Sequence, residues 1–238
     1  MSDAEALLHA VLAHPADDLP RLVFADFLEE SGDPASVARA EFIRVQCELA
    51  QVEADPDPAG VHALLALRTR ERLLLSKFSD AWFDPLRSRG EPFFSALSHG
   101  RFRRGFVEIA WMPAGQFLWK AEKLFARVPL RELRVTMTTL EELAELMDCP
   151  HLAKLRVLDL SDRKLGDRAA QEIARSAQVR SLSQLRLKGC GLTDAGAEIL
   201  AGADLGHLDG LEVQWNHFTE TGRRALMRAF GNRVLQEW

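Results

Sequence analysis

Along residues 130–238 the chain repeats the spacing L-x-x-L-x-L-x-x-N/C-x-L, and no other feature limits its fold so tightly. Three closely spaced apolar residues make a short strand, and the later polar residue turns the chain out of it. The copies are Leu130, Leu133, Val135 and Leu140; Leu155, Leu158, Leu160 and Leu165; Leu182, Leu185, Leu187 and Leu192; and Leu208, Leu211, Val213 and Phe218. Their starts lie 25, 27 and 26 residues apart. The turn positions hold Thr138, Arg163, Cys190 and Asn216. An Asn amide or a Cys thiol satisfies backbone groups of the neighbouring coil there, and Thr or Arg does so less well, so the first two copies are expected to be less regular.

Helix-start signals follow the strands. Gly166-Asp167-Arg168-Ala169-Ala170 leads to Ile173, Thr193-Asp194-Ala195-Gly196 to Ile199 and Leu200, and Thr219-Glu220-Thr221-Gly222 to Leu226 and Phe230. Ala169, Gly196 and Gly222 fall at matching places, where a helix is expected to approach the strand layer closely. These phrases resemble the ribonuclease-inhibitor-like class of leucine-rich repeats. The resemblance implies an α/β fold, a short solenoid of about four strand-helix coils, far fewer than the family's long horseshoes.

The first part of the chain reads as helices. Leu7, Leu8, Val11 and Leu12 share one face; a second helix after Asp17-Asp18 carries Leu22, Val23, Phe24, Phe27 and Leu28 and stops near Ser31-Gly32. A third starts at Pro34 and is broken by the Asp-Pro-Asp-Pro run at 55–58, and a fourth spans about 59–78. The phrases PRLVFADFLEESGDP and ARAEFIRVQCELA resemble the companion domain that precedes leucine-rich repeats in large bacterial families. That resemblance implies a bacterial protein with a small α-helical domain before the repeats, and no established activity. The expected organisation is a helical capping domain at 1–80, a linker and degenerate first coil at 81–129, and the solenoid with its C-terminal cap at 130–238. Within the middle segment, Phe102 to Ile109 reads as one strand and Pro113 to Val128 as a helix. The helical domain is expected to cover the N-terminal end of the stack, with Phe230, Val234, Leu235 and Trp238 closing the other end.

Thirty basic against thirty-five acidic side chains leave a net charge of −5, so no global field draws the chain to nucleic acid or anionic lipid. The densest basic cluster, Arg101, Arg103 and Arg104, reads as a solvated loop. Cys47, Cys149 and Cys190 contain no C-x-x-C pair and read as reduced thiols of a cytoplasmic protein. No stretch reaches the ~18 apolar residues of a membrane span, and the N-terminus lacks a signal-peptide pattern. The seven histidines show no metal-ligand spacing, and no nucleophile elbow or phosphate-cradling glycine loop occurs. No catalytic, cofactor or metal residues are therefore assigned. Asp26 and Glu30, at i and i+4, form a candidate acid pair; the stronger reading is a helix-packing ion pair to Arg21 or Arg44.

Side chains between the buried leucines of each strand point out of the core and make a readable column. Its members are Arg134, Asp159, Arg186 and Glu212, then Thr136, Ser161, Lys188 and Gln214, with Trp215 beside them either as an exposed anchor or as part of the C-terminal cap. The alternating charge suggests a protein partner docked on the concave face by a monomer or weakly self-associating chain. A self-assembling scaffold is the alternative reading.

Overall fold

The computed structural model describes residues 2–54, 60–83 and 100–235. The helix break at 55–58, His99 and Trp238 lie outside them. The chain divides into two compact units: Met1–Ile109 with Lys123–Pro129, and Ala110–Glu122 with Leu130–Trp238.

In the first unit, Ser2 opens α1 (Asp3–Ala13) with a capping box, its Oγ accepting the Glu5 N–H at 3.3 Å while Glu5 Oε2 accepts the Ser2 N–H at 2.8 Å. The carboxylate that caps α2 (Leu19–Glu30) belongs to Asp17, which accepts the Leu19 N–H at 2.9 Å. Helix α3 (Pro34–Ala54) places Ala40, Ile43 and Cys47 against Val11, Ala25 and Phe106. Helix α4 (Gly60–Phe83) runs past its expected end near Phe78 because Leu74, Phe78 and Trp82 continue one face at i, i+4 and i+8. Trp82 stacks on Phe42 with ring centroids 4.6 Å apart.

The stretch expected to be one strand is a hairpin of β1 (Arg101–Arg103) and β2 (Phe106–Met112), with Arg103 facing Phe106. Arg104 and Gly105 form its two-residue turn at φ +47° and +82°, the left-handed pair whose twist matches antiparallel strands. Gly105 donates its N–H to Gln46 Oε1 at 2.7 Å, and a Cβ there would lie 2.4 Å from Ile43 Cγ1, so the turn seats directly on α3. Arg104 belongs to no solvated loop. It donates to Pro15 O, Ala16 O and buried Glu108, and Arg21, fully enclosed, donates to the same Glu108 oxygen at 2.7 Å and to Pro15 O. Two cations on one carboxylate, with backbone acceptors taking further donors, is the hydrogen-bonded arrangement that a buried charge requires.

The second unit alternates strands and helices. Strands β3 (Glu132–Val135), β4 (Val157–Asp159), β5 (Gln184–Arg186), β6 (Gly210–Glu212) and β7 (Val234–Leu235) pair in parallel, each with the next. Leu133, Leu158, Leu185 and Leu211 lie side by side in that register, all fully buried. Each such side chain contributes about 1.5–3 kcal/mol by leaving water. Helices α5 (Ala114–Phe125), α6 (Leu140–Asp148), α7 (Asp167–Arg175), α8 (Asp194–Gly202) and α9 (Glu220–Phe230) follow the strands.

Turn chemistry differs from copy to copy. The Asn216 amide donates to Leu187 O and Val213 O and accepts the Leu192 N–H, and the Cys190 Sγ donates to Leu160 O at 3.2 Å. Arg163 does more than its expected poor fit suggested: its long side chain donates to Thr136 O of the preceding copy and to Ser161 O. Burial pushes the Cys47 and Cys190 thiols up to about 12.

At the helix starts each aspartate serves the following copy. Asp167 accepts the Thr193 N–H at 2.7 Å and its hydroxyl at 2.5 Å; Asp194 accepts the Thr219 N–H, the Thr219 hydroxyl and the Gly222 N–H. These bonds hold the Asp194 carboxyl below its ordinary pKa, the Thr219 hydroxyl contributing most. The small residues at 196 and 222 answer to this clamp and not to the strand layer: a Cβ would stand 2.3 Å from Asp167 Oδ1 at Gly196 and 2.4 Å from Asp194 Oδ1 at Gly222. Where the copies lack the pattern the clamp is missing, since α6 opens on Leu140 where α7 and α8 open on Asp167 and Asp194, and Gly166 caps α7 without a side chain.

Gly222→Ala is expected to destabilise the chain by about 1–3 kcal/mol, the ordinary cost of overpacking. In an Asp194→Ala background the same substitution should cost much less; equal costs in urea titrations of the four proteins would exclude the clamp as the reason for glycine. Iodoacetamide at pH 8 should modify half-buried Cys149 first and reach Cys47 and Cys190 only on unfolding, as read by mass spectrometry of the digested chain.

Candidate functional site

The predicted column is assembled by strand pairing. Arg134, Asp159, Arg186 and Glu212 occupy successive positions of one register line across β3 to β6. Adjacent strands lie about 4.8 Å apart, so each of these side chains has its neighbours within reach.

Their charges meet one another. Arg186 Nη1 lies 2.6 Å from Glu132 Oε1 and 4.0 Å from Asp159 Oδ2, while its Nε donates to Glu212 Oε1 at 2.9 Å and its Nη2 to Gln184 Oε1 at 3.1 Å. Lys188 Nζ reaches the other Glu212 oxygen at 2.7 Å. Arg134 approaches Asp159 at 3.7 Å and Asp162 at 3.6 Å. Burial opposes the Arg186 charge, but Glu132 and Glu212 outweigh it and hold the guanidinium above its ordinary pKa. The alternating charges read from the sequence are thus largely neutralised within the face, and Asp159, expected to point outward, is buried with its Oδ1 accepting the Ser161 N–H at 2.9 Å.

The other predicted residues separate by exposure. Thr136 is exposed and Lys188 half-buried, whereas Ser161 is buried with its Oγ unpartnered. Gln214 Oε1 is likewise enclosed without a hydrogen-bond partner. Trp215 is 73% exposed, and its backbone stands at φ +59°. Asp162 and Gly189 occupy the same place in their copies, one residue before the turn position, at φ +62° and +59°. This place suits glycine, is tolerated by aspartate, and costs a bulky side chain about 1–2 kcal/mol. Met137, at the corresponding place of the first copy, is 65% exposed.

Residues 180–201 match the family model for a Leucine Rich repeat, a stretch that contains β5, the Cys190 turn and most of α8. The chain carries a leucine-rich repeat. No curated protein matches it. Repeats of this kind generally mediate protein-protein interaction, and the strand face is the surface of this repeat that holds Arg186 and Lys188.

Sequence reasoning did not select Glu132, Gln184 and Asp162, which complete the ion network, nor Met137. Glu132 and Gln184 stand two residues before Arg134 and Arg186 and share their side of the strand, and that spacing was the available signal. For Asp26 in α2 the stronger reading, an ion pair to an arginine, is the one the structure has: Arg44 Nη2 donates to Asp26 at 2.7 Å, and also to Glu29 at 2.6 Å. Among the described residues no three His, Cys, Asp or Glu side chains converge as metal ligands would, and no helix is long and apolar enough to cross a membrane.

Removing Arg186 leaves Glu132, Asp159 and Glu212 facing one another. Arg186→Met is expected to cost about 1.5–3 kcal/mol, the range for hydrogen bonds to a charged group. The loss should shrink in 1 M NaCl, because salt screens the carboxylates' repulsion. Urea midpoints at low and high salt measure both; a cost unchanged by salt would mean that packing of the Arg186 stem, and not its charge, is what the face needs.

Proposed function

We propose that the chain is a protein-recognition module whose partner docks on the exposed strand face of the repeats, with Trp215 as its anchor. One observation carries this reading: the largest side chain of that face is held in a backbone conformation that the matching copy fills with glycine, and it is 73% exposed. A tryptophan at such a place gains nothing from burial and strains the turn. Large aromatics are the commonest energetic anchors of protein interfaces, and local strain that persists without a packing benefit marks functional positions.

The neighbouring charges support the anchor by fixing geometry. Arg186 is held on both sides by Glu132 and Glu212, so the face presents a rigid, nearly balanced surface and not a steering field. Partner selection then rests on a socket for the indole and on hydrogen bonds to Thr136 and Lys188, not on net charge. The column of Arg134, Asp159, Arg186 and Glu212 serves as a scaffold for that surface.

Trp215→Gly separates function from folding. The substitution is expected to leave stability unchanged or raise it by about 1 kcal/mol, because it removes a strained side chain. Capture of partners from a lysate of the source cells should fall by at least tenfold, consistent with the loss of an interface anchor. Capture equal to wild type by quantitative mass spectrometry would reject Trp215 as the anchor and move the search to the exposed Met137 end of the same face.

A further inference from the structure

The first unit holds a partly open cavity of about 530 Å³, walled by Leu8, Leu28, Phe102, Phe106, Trp82, Arg39 and Arg127 among others. This volume lies in the range of small-molecule sites. Its chemistry is lopsided. Arg39 makes no hydrogen bond or ion pair to any described residue, and its Nη1 is shut off from solvent without an acceptor. Trp82 Nε1 is in the same state. The guanidinium carbon sits over four aromatic rings, at 4.9 Å from Trp82, 5.0 Å from Phe102, 5.5 Å from Phe42 and 5.6 Å from Phe106.

Arg21, the fully buried arginine of this unit, is built differently. Arg21 meets the Glu108 carboxylate and three backbone carbonyls. Arg39 has aromatic faces alone, and burial with no compensating acid pulls its guanidinium down to about 9, which still leaves it protonated at neutral pH. Cation–π contacts return part of the lost hydration, but an enclosed cation with unused donors remains costly. Two donors lacking acceptors, one of them a permanent cation at neutral pH, line a cavity whose remaining walls are mostly apolar.

We infer that this cavity binds a small amphipathic carboxylate, an aromatic or branched aliphatic acid whose oxygens accept from Arg39 and Trp82 while its apolar body lies among Leu8, Leu28, Phe102 and Phe106. A carboxylate matches the planar guanidinium fork and its single charge. The site belongs to the first unit, and its occupation does not depend on how the strand face of the second is used.

Thermal-shift measurements on the full chain would compare indole-3-acetate, phenylacetate, benzoate and 4-methylpentanoate, each beside its carboxamide, with calorimetric titration of the most stabilising acid. At least one acid is expected to bind ten times more tightly than its amide, and Arg39→Gln should erase that preference. Should Arg39→Gln fail to fold, NMR shift mapping on the wild type decides: perturbations centred on Phe102, Phe106 and the Trp82 indole support the site, and perturbations in the repeats overturn it. Absence of any acid-over-amide preference across the panel, or amides binding as tightly as acids, overturns it as well.

Discussion

A strand of three or four residues cannot bury its own leucines. In the second unit each strand–helix copy is the missing wall of the next, and the parallel register that sets Leu133, Leu158, Leu185 and Leu211 in one line is the constraint on which everything else there depends. A slip of one residue would turn this buried row outward and carry the charged row, Arg134 to Glu212, into the core. Burial of the leucines therefore decides the position of the strand face, and the charged side chains follow. Their mutual pairing is a consequence of that geometry, since residues on one register line are forced to be neighbours.

Features carried by period were legible in the sequence, and features carried by distant partners were not. Leucine spacing fixes the pairing of β3 to β6 because a buried row tolerates only one register. The Arg104-Gly105 turn escaped notice because its flanks form an almost unbroken strand-like run and its dipeptide is not the Asn-Gly or Asp-Gly that usually announces a hairpin. Helix α4 was read short because Trp82, not a leucine, extends its buried face. The glycines at 196 and 222 were recognised as close approaches, yet their partners are carboxylates from another copy, which periodicity within one helix cannot reveal. At the site, the column was visible as residues but not as a network. The strain at Trp215 emerges only when its position is superposed on Gly189.

Two ways of taking guanidinium groups out of water stand within the first unit. Arg21 and Arg104 converge on Glu108, and the three together pin the chain between α1 and α2 to the hairpin. Arg39 is surrounded by rings and makes no hydrogen bond or ion pair among the described residues. The first arrangement meets its charge with a carboxylate inside the protein, though Arg21 Nε is left without an acceptor, and it is structural in character. The second is chemically open, and it distinguishes a cavity that can hold a partner molecule from one that merely results from imperfect packing.

The aspartate clamps have a direction. Asp167 reaches forward to Thr193, and Asp194 reaches forward to Thr219 and Gly222. A segment running from Thr193 to the residue before Thr219 therefore carries both halves of a joint: a threonine that accepts the previous carboxylate's grip and an aspartate that offers its own. Duplicated in tandem, such a segment would find its connectors already matched on either side. The junction between Leu140 and Gly166 has neither half. Lengthening of this chain by gene duplication is thus chemically easiest toward its C-terminal copies, and the number of repeats is free to vary there without any new contact having to be invented.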